Sequence, residues 1–221
     1  MGGCYRMMAK LCGELRERGI DDITLLHGRD VKHLADDPDV ASMWLPLSAP
    51  VLRPNDCADS LFALLCHQED QVVAAVAATI DVVPHSLAAE EAACRWPGNE
   101  GQRPGDVILP ATLPPINGHV ATPCQRRVHP AWRKRGIGRR LNHLVLAALY
   151  FRDPHVDHVV ANMPRANHSF DWPLGARGLR FRTAHDGYCH RDSRHPGWAE
   201  ADTLLHLTGP DLRAQLAARA S

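Results

Sequence analysis

The chain has 221 residues and a mass of 24.4 kDa, with 45% hydrophobic and 23% charged residues, a composition that excludes a disordered or fibrous protein. Lys plus Arg number 25 and Asp plus Glu number 25, so the chain lacks the overall basic charge of a protein that coats nucleic acid or an anionic membrane. The longest apolar stretches, such as residues 72–80, are far shorter than the roughly 20 residues that cross a bilayer.

The amino terminus shows no targeting signal. No apolar run of a signal peptide follows residues 1–6, and Arg6 stands where a myristoylation signal has Ser or Thr. We therefore expect a cytoplasmic protein without a nucleic-acid or membrane partner. The seven cysteines include no C-x-x-C pair, and the spacing of His185, His190 and His195 matches no common zinc motif, so we predict neither a disulfide framework nor a metal site.

The first predicted elements are a helix and a strand. Apolar residues recur at helical spacing from Tyr5 to Arg18, and Gly19 ends the pattern. Residues 23–26 follow two aspartates and predict a strand. Asp30 can then cap a helix that Pro38 interrupts, which favours two short helices over one.

A hairpin and a proline-rich segment follow. Residues 60–67 fit a strand or a helix, but the β-branched run 71–83 is typical of a strand, so we favour a hairpin. Prolines then crowd residues 84–118, where only 87–93 show helical spacing. A segment of this length is an insertion of the kind that forms lids or linkers.

The second half alternates strands with helices. We predict strands at 119–128, 156–163, from 179 and at 201–207, and helices at 138–152, before 178 and at 211–220. This order indicates a single domain, residues 1–221, of the mixed α/β class.

The segment 128–141 joins a predicted strand to a predicted helix through a turn rich in glycine. Six apolar residues of the helix share one face, so it can pack on a sheet while its first turn stays exposed; they are Ile137, Leu141, Leu144, Val145, Ala148 and Leu149. The unpaired amides of that turn attract phosphate oxygens. Gly136 and Gly138 let a phosphate approach because no Cβ is in the way. The segment predicts a pyrophosphate site.

The same segment carries an unusual local charge. Between Gln125 and Arg140 there are seven basic residues and no acidic one: Arg126, Arg127, Arg133, Lys134, Arg135, Arg139 and Arg140. We call residues 133–140 the cationic turn. In a chain of zero net charge it indicates an anionic partner, and a solvated helix end is the simpler alternative. Leu141 stands where a Rossmann fingerprint needs its third glycine, and no P-loop pattern occurs.

The cationic turn has a recognisable pattern. Arg133, Gly136 and Gly138 match [RQ]-x-x-G-x-[GA], and Val128 and Pro130 supply a preceding Val-x-Pro. Strand, Val-x-Pro, this pattern and an amphipathic helix in succession resemble motif A of the GNAT superfamily of acyl-CoA-dependent N-acyltransferases. The resemblance extends less sharply from about residue 23 to 207. It implies a GNAT-like α/β fold, with a mixed, mostly antiparallel sheet whose central strands splay apart and which helices flank.

The resemblance also implies a donor and its contacts. Acetyl-CoA or another short acyl-CoA would lie between the splayed strands, with its pyrophosphate on the amides of the turn and its thioester carbonyl polarised by the main chain near Val128. Asn167, followed by residues 177–181, looks like the family's second block. The residues expected at coenzyme A are Val128, Arg133, Lys134, Arg135, Gly136, Ile137, Gly138, Arg139 and Asn167.

The usual proton-transfer residues of the family are missing. Leu174 stands where many members have a tyrosine acid, and the strand before Val128 offers no carboxylate. His119 is the candidate base because an imidazole can accept a proton at neutral pH. Tyr188 is the candidate acid. The alternative for His119 is a histidine at a strand end with an ordinary hydrogen bond. The alternative for Tyr188 is a packed aromatic side chain.

The leading hypothesis is an enzyme that moves an acetyl or short acyl group from acyl-CoA to the amine of a small-molecule acceptor by direct attack on the thioester. One alternative is a GNAT-like domain that acts on acyl carrier protein, by S-acyl transfer or malonyl decarboxylation. The other is a catalytically silent acyl-CoA-binding module. A homodimer is left open, because dimers are common in the resembling family.

Overall fold

The computed structural model describes residues 2–28, 30, 31, 60–86, 107, 108, 115–164, 182–190 and 202–220. For residues 2, 3, 107, 108, 124, 125, 162–164, 182–190, 202–204 and 220 it describes the backbone alone. The described helices are α1 (Gly2–Arg16), α2 (Ile137–Arg152) and α3 (Gly209–Ala220). The described strands are β1 (Asp22–His27), β2 (Leu61–Gln68), β3 (Gln71–Val83), β4 (Val107–Ile108), β5 (Gly118–Val128), β6 (His158–Pro164), β7 (Arg182–His190) and β8 (Asp202–Thr208). A 3₁₀ turn, Pro130–Trp132, separates β5 from α2.

The predicted elements that fall on described residues are confirmed, with shifted ends. The helix predicted at 211–220 begins at Gly209 because the Thr208 hydroxyl accepts a hydrogen bond from the amide of Asp211 at 3.2 Å and caps it. β4 was not predicted, since two residues within the segment 84–118 carry no periodicity. The helical stretch 87–93 and the helix before 178 lie outside the described residues.

The chain divides into two compact units. The first comprises residues 1–80, 122–154 and 213–221, and its strands follow the hydrogen-bonding order β1, β2, β3, β5. Both β1 with β2 and β2 with β3 pair antiparallel. The hairpin prediction for β2 and β3 is confirmed, and its residues 61–66 and 73–78 are buried on both faces, which explains why they lack a polar alternation.

The second unit comprises residues 81–121 and 155–212, with strands in the order β5, β6, β8, β7, β4. β8 pairs antiparallel with β6 and with β7, and β4 with β7. β5 and β6 pair parallel through two residue pairs, Val120 with His158 and Ala121 with Val159. A ladder this short agrees with the splayed central strands that the resemblance implies. The predicted class, a mixed and mostly antiparallel sheet flanked by helices, is confirmed, while a single domain stays a prediction.

In the first unit, α1 ends in a Schellman motif. Gly19 has φ +88°, its amide donates to Arg16 O at 2.9 Å, and the amide of Ile20 donates to Leu15 O at 3.2 Å. Leu15 and Ile20 are both buried, as the hydrophobic contact of this motif requires. The motif fixes the backbone of Arg18, which lies two residues after the end of α1.

α2 is the buried helix of the same unit. All six residues of its predicted apolar face are buried, and so are Asn142, His143, Leu146 and Ala147. α1 packs against α2, and the Cys4 thiol donates to Ala147 O at 3.1 Å. Among the described helices, none is long and apolar enough to span a membrane.

In the second unit, Asp157 ties the start of β5 to the end of β8. Its Oδ2 accepts from the amide of His119, its own amide donates to His119 O, both at 2.9 Å, and its carbonyl accepts from the amide of Gly209 at 2.6 Å. A Cβ on Gly209 would lie 2.0 Å from the carbonyl oxygen of Val156. Only glycine therefore fits where β8 passes into α3.

We expect Gly209→Ala to lower the free energy of unfolding by about 3 kcal/mol, because the new Cβ meets a backbone atom that cannot move away. Gly13→Ala is the matched control: a Cβ on Gly13, inside α1, meets nothing within 4 Å. Alanine there should raise the free energy of unfolding by about 0.5–1 kcal/mol. Urea unfolding followed by circular dichroism measures both, and equal effects would contradict the prediction.

Candidate functional site

The cationic turn lies wholly in the first unit, between the end of β5 and the start of α2. The amide of His129 donates to Val73 O on β3 at 2.8 Å, which fixes the end of β5. The amides of Trp132 and Arg133 donate to His129 O and Pro130 O at 2.8 and 3.2 Å. Up to Arg133, these contacts give the backbone internal partners.

Beyond Arg133, two backbone residues adopt left-handed conformations. Lys134 has φ +65° and Gly136 has φ +74°, both in the left-handed region, and Gly136 caps the 16-residue α2. A lysine in this conformation is uncommon and costs about 1 kcal/mol.

The amides that follow have no hydrogen-bond acceptor among the described residues. Among the hydrogen bonds between described residues, none is donated by the backbone amides of residues 134–138. The residues from Arg133 to Gly136 are exposed, while the side chain of Ile137 is buried and holds the first turn of α2 in place. The positive end of the helix dipole lies at the same point. The amides of Lys134, Arg135 and Gly136 belong to exposed residues, and a role of residues 134–138 at a pyrophosphate stays a prediction.

The carbonyls of the segment are held by arginine side chains. Four guanidinium groups, which we call the arginine brace, each donate to a different carbonyl oxygen: Arg133 to Val128 O at 3.2 Å, Arg18 to Arg135 O at 3.1 Å, Arg140 to Gly136 O at 3.2 Å and Arg126 to Gly138 O at 3.1 Å. Hydrogen bonds with a charged donor are stronger than neutral ones. The brace therefore fixes the carbonyls and adds positive charge beside the free amides.

The brace gives the two glycines a second role, which the sequence did not indicate. A Cβ on Gly136 would lie 2.8 Å from the Arg140 guanidinium, and a Cβ on Gly138 would lie 3.0 Å from Nε of Arg126. Both missing side chains thus make room for arginines. The space left by each missing Cβ, which the sequence pattern assigned to an approaching phosphate, holds a guanidinium group in this structure.

The charges of the turn differ in their surroundings. Burial lowers the pKa of Arg126 to about 10, which leaves it protonated at neutral pH. Nε of Arg140 donates to Glu14 Oε2 at 2.7 Å, so its charge is neutralised. Arg135 stacks on the Trp132 ring at 4.3 Å. Lys134 and Arg139 are exposed.

The proton-transfer candidates lie in the second unit. His119 is the second residue of β5, and Asp157 holds its backbone on both sides. Tyr188 lies on β7, opposite Asp202 of β8. The cationic turn belongs to the first unit, and the roles of His119 and Tyr188 stay predictions. Asn167 and Leu174 lie outside the described residues.

Three residues at the turn were not singled out by the sequence. Glu14 lies in α1 and Arg18 in the turn that follows it, and Arg18 is 117 positions before its partner Arg135, so no local pattern joins them. Trp132 packs on Gly19, where a Cβ would lie 3.3 Å from its ring. In the sequence, only Gly19 itself, the predicted end of α1, marks the place where α1 meets Trp132.

Metal-binding side chains do not gather in the part of the chain that the structure describes: no group of three or more His, Cys, Asp or Glu residues there could hold an ion. Burial raises the pKa of the Cys66 thiol to about 12, and it also raises those of Cys4 and Cys12. These three thiols are therefore poor nucleophiles at neutral pH.

No family model and no curated protein matches the chain, but 117 chains of solved structures do. One is FeeM, an N-acyl amino acid synthase from uncultured soil microbes, 15% identical over 89% of this chain and 96% of that chain, with a TM-score of 0.48. Another is NAA60 of Arabidopsis thaliana in complex with acetyl-CoA, 14% identical over 85% and 98% of the two chains, with a TM-score of 0.46.

A third is an agmatine N-acetyltransferase without ligand, 17% identical over 85% of this chain and 100% of that chain, with a TM-score of 0.45. The first is named a synthase of N-acyl amino acids and the third an acetyltransferase. Because their TM-scores lie below 0.5, the likenesses carry no argument here. The resemblance to the GNAT superfamily rests on the pattern in the cationic turn and on the order of the strands.

His143, behind the turn on α2, makes stability depend on pH. Its Nδ1 accepts from Arg219 of α3 at 3.0 Å, and burial, then Arg219, Arg139 and Arg140, lower its pKa from 6.5 to about 4. The unfolded chain therefore takes up a proton at His143 at a higher pH than the folded chain does. The folded state keeps its full stability above pH 6.5 and loses up to about 3 kcal/mol from this group as the pH falls toward 4.

We expect His143→Gln to lose less stability than the wild type between pH 6.5 and pH 4, because glutamine takes up no proton while its oxygen can still accept from Arg219. Urea unfolding across this range measures the difference. His85→Gln, at an exposed position, is the control and should keep the wild-type slope. An unchanged slope in the His143 variant would contradict the assignment.

Proposed function

We propose that the chain is a GNAT-type acyltransferase that moves an acetyl or other short acyl group from acyl-CoA to the amine of a small molecule. The observation that carries the proposal is the cationic turn, in which the amides of residues 134–138 donate to no described residue while the carbonyls of Arg135, Gly136 and Gly138 accept from arginines. Free amides, a helix N-terminus and neighbouring guanidinium groups together are suited to a diphosphate.

The residues of the turn divide the work of binding. The amides of residues 134–138 would hold the diphosphate oxygens, and Lys134 and Arg139 would add charge from exposed positions. Arg133 has a further role because it also donates to Val128 O. Ile137 is buried and would act by anchoring α2.

The end of β5 would supply a hydrogen-bond donor for the thioester carbonyl. Successive amides of a strand point to opposite edges, and the amide of His129 points to Val73 on β3. The N–H of Val128 therefore points away from β3, toward the edge at which its carbonyl accepts from Arg133. A donor fixed beside a guanidinium would polarise the thioester carbonyl and stabilise the negative charge that develops during attack.

Direct attack requires a neutral amine on the acceptor, so its proton must leave before or during the reaction. His119 is proposed to take that proton, directly or through water, and Tyr188 to protonate the leaving thiolate of coenzyme A. His119→Gln and Tyr188→Phe should each lower kcat while leaving the Kd for acyl-CoA unchanged, because neither residue belongs to the cationic turn.

Arg133→Glu and Gly136→Asp should each weaken acetyl-CoA binding at least about a hundredfold, since each places a carboxylate at the diphosphate site. Isothermal titration calorimetry measures the Kd. Arg213→Glu, an equal charge reversal at an exposed position of α3, should bind like the wild type. Thermal unfolding checks that all three variants fold, and wild-type affinity in both turn variants would refute the proposed site.

The acyl group and the acceptor need a separate experiment. The protein is incubated with acetyl-, malonyl- and longer acyl-CoA, with and without a panel of small amines, and the products are identified by mass spectrometry. Acylated amine from the acetyl donor supports the proposal. Conversion of malonyl-CoA without an acceptor would instead favour the decarboxylase alternative, and binding without turnover a silent module.

A further inference from the structure

The last turn of α1 contacts the cationic turn on its carbonyl side. The Glu14 backbone carbonyl accepts from Nη1 of Arg18 at 2.6 Å, and its carboxylate accepts from Nε of Arg140 at 2.7 Å. The two anchored arginines then donate to Arg135 O and Gly136 O at 3.1 and 3.2 Å. One residue of α1 thus anchors both guanidinium groups that hold two consecutive carbonyls.

The geometry of this contact is fixed from both sides. Arg18 lies two residues after the end of α1, and the Schellman bonds of Gly19 and Ile20 hold its backbone. Trp132 packs on Gly19, which brings the start of the cationic turn to the same place. Arg18 therefore reaches Arg135 from a backbone that does not depend on the turn itself.

The Glu14–Arg140 pair is partly shielded from water, with side chains 32% and 12% exposed. Shielded pairs with good geometry are stronger than exposed ones. Since the carboxylate cancels the charge of Arg140, this arginine gives the turn a fixed shape rather than net positive charge. Charge for a ligand is left to other residues of the turn.

We propose that Glu14 and Arg18 are positioning residues, which hold the cationic turn in its anion-binding shape before a ligand arrives. They act through Arg140 and through the carbonyls of Arg135 and Gly136. With these carbonyls held on one side, the amides of the turn stay directed to the other. Acyl-CoA as the ligand rests on the function proposed above, whereas the holding of the turn does not.

The direction in which one substitution changes the affinity for acyl-CoA distinguishes a positioning role from a purely electrostatic one. A carboxylate near an anion site repels the anion, so removal of its charge alone would tighten acyl-CoA binding. Positioning predicts the opposite. Glu14→Ala should weaken acetyl-CoA binding about tenfold, which is the effect of one or two lost charged hydrogen bonds, as measured by calorimetry.

Glu17→Ala is the matched control on the same helix. Glu17 is 76% exposed and lies 3.9 Å from Arg18, so its loss should leave the Kd unchanged or slightly lower. Alanine favours helix at both positions, so α1 is retained. Arg18→Gln should weaken binding like Glu14→Ala, and Arg16→Gln, an exposed neighbour, should not. A Glu14 variant that binds as tightly as the wild type overturns the proposal.

An acyl donor that lacks the diphosphate tests whether the loss of affinity in Glu14→Ala is confined to the cationic turn. S-acetylpantetheine carries the thioester and the pantetheine arm alone. Glu14→Ala should leave its binding unchanged in an NMR titration, while inorganic pyrophosphate loses affinity by about the same factor as acetyl-CoA. An equal loss for S-acetylpantetheine would mean a general structural defect and would contradict positioning.

Limited trypsin digestion tests the turn without any ligand. Cleavage after Arg133, Lys134 and Arg135, measured by mass spectrometry, should be at least about fivefold faster in Glu14→Ala and Arg18→Gln than in the wild type and Glu17→Ala. Equal rates overturn the proposal. If the wild type binds no acyl-CoA, the proposed function fails, and the digestion still decides whether these residues hold the turn.

Discussion

The arginine brace is the interaction on which the candidate site depends. A backbone loop presents amides and carbonyls in equal number, and a carbonyl oxygen near a phosphate repels it. In the cationic turn, the carbonyls of Arg135, Gly136 and Gly138 each accept from a guanidinium group. The negative ends of these peptide dipoles are thereby covered, while the amides of residues 134–138 receive no partner among the described residues. The loop becomes a surface of donors.

The rest of the first unit keeps this loop in place. β5 is fixed at its end by the bond from His129 to Val73 on β3, a strand buried on both faces. α2 is held by its buried side chains from Ile137 onward, so the helix start cannot shift without exposing apolar surface. The left-handed conformations of Lys134 and Gly136 persist because both flanks are fixed.

The sequence predicted most of this fold, and the reason differs between elements. The hairpin of β2 and β3 and the apolar face of α2 follow from periodicity, which depends on local residues alone. Gly136 and Gly138 were predicted from a short pattern, but their contacts with Arg140 and Arg126 were not. Such contacts depend on how elements pack, as does β4, whose two residues pair with β7.

The sequence could not predict two contacts: the link that Asp157 makes between β5 and β8, and the contact between α1 and the cationic turn. Both join residues that are far apart in the chain. Arg18 meets Arg135 across 117 positions, and nothing in either neighbourhood encodes the other. His119 illustrates the converse. Its residue type suited a base, and the structure shows that its backbone is bound to Asp157, a contact in which the imidazole takes no part.

The link between α1 and the cationic turn also sets what would count as a transplantable part of this protein. A loop of residues 128–140 grafted alone onto another scaffold would leave behind Glu14 and Arg18, and with them the support for two of its carbonyls. A chimera that inherits the binding surface must inherit the first helix too. Evolutionary exchange of segments would meet the same restriction, because a crossover anywhere between Arg18 and residue 128 would separate the loop from the residues that support it.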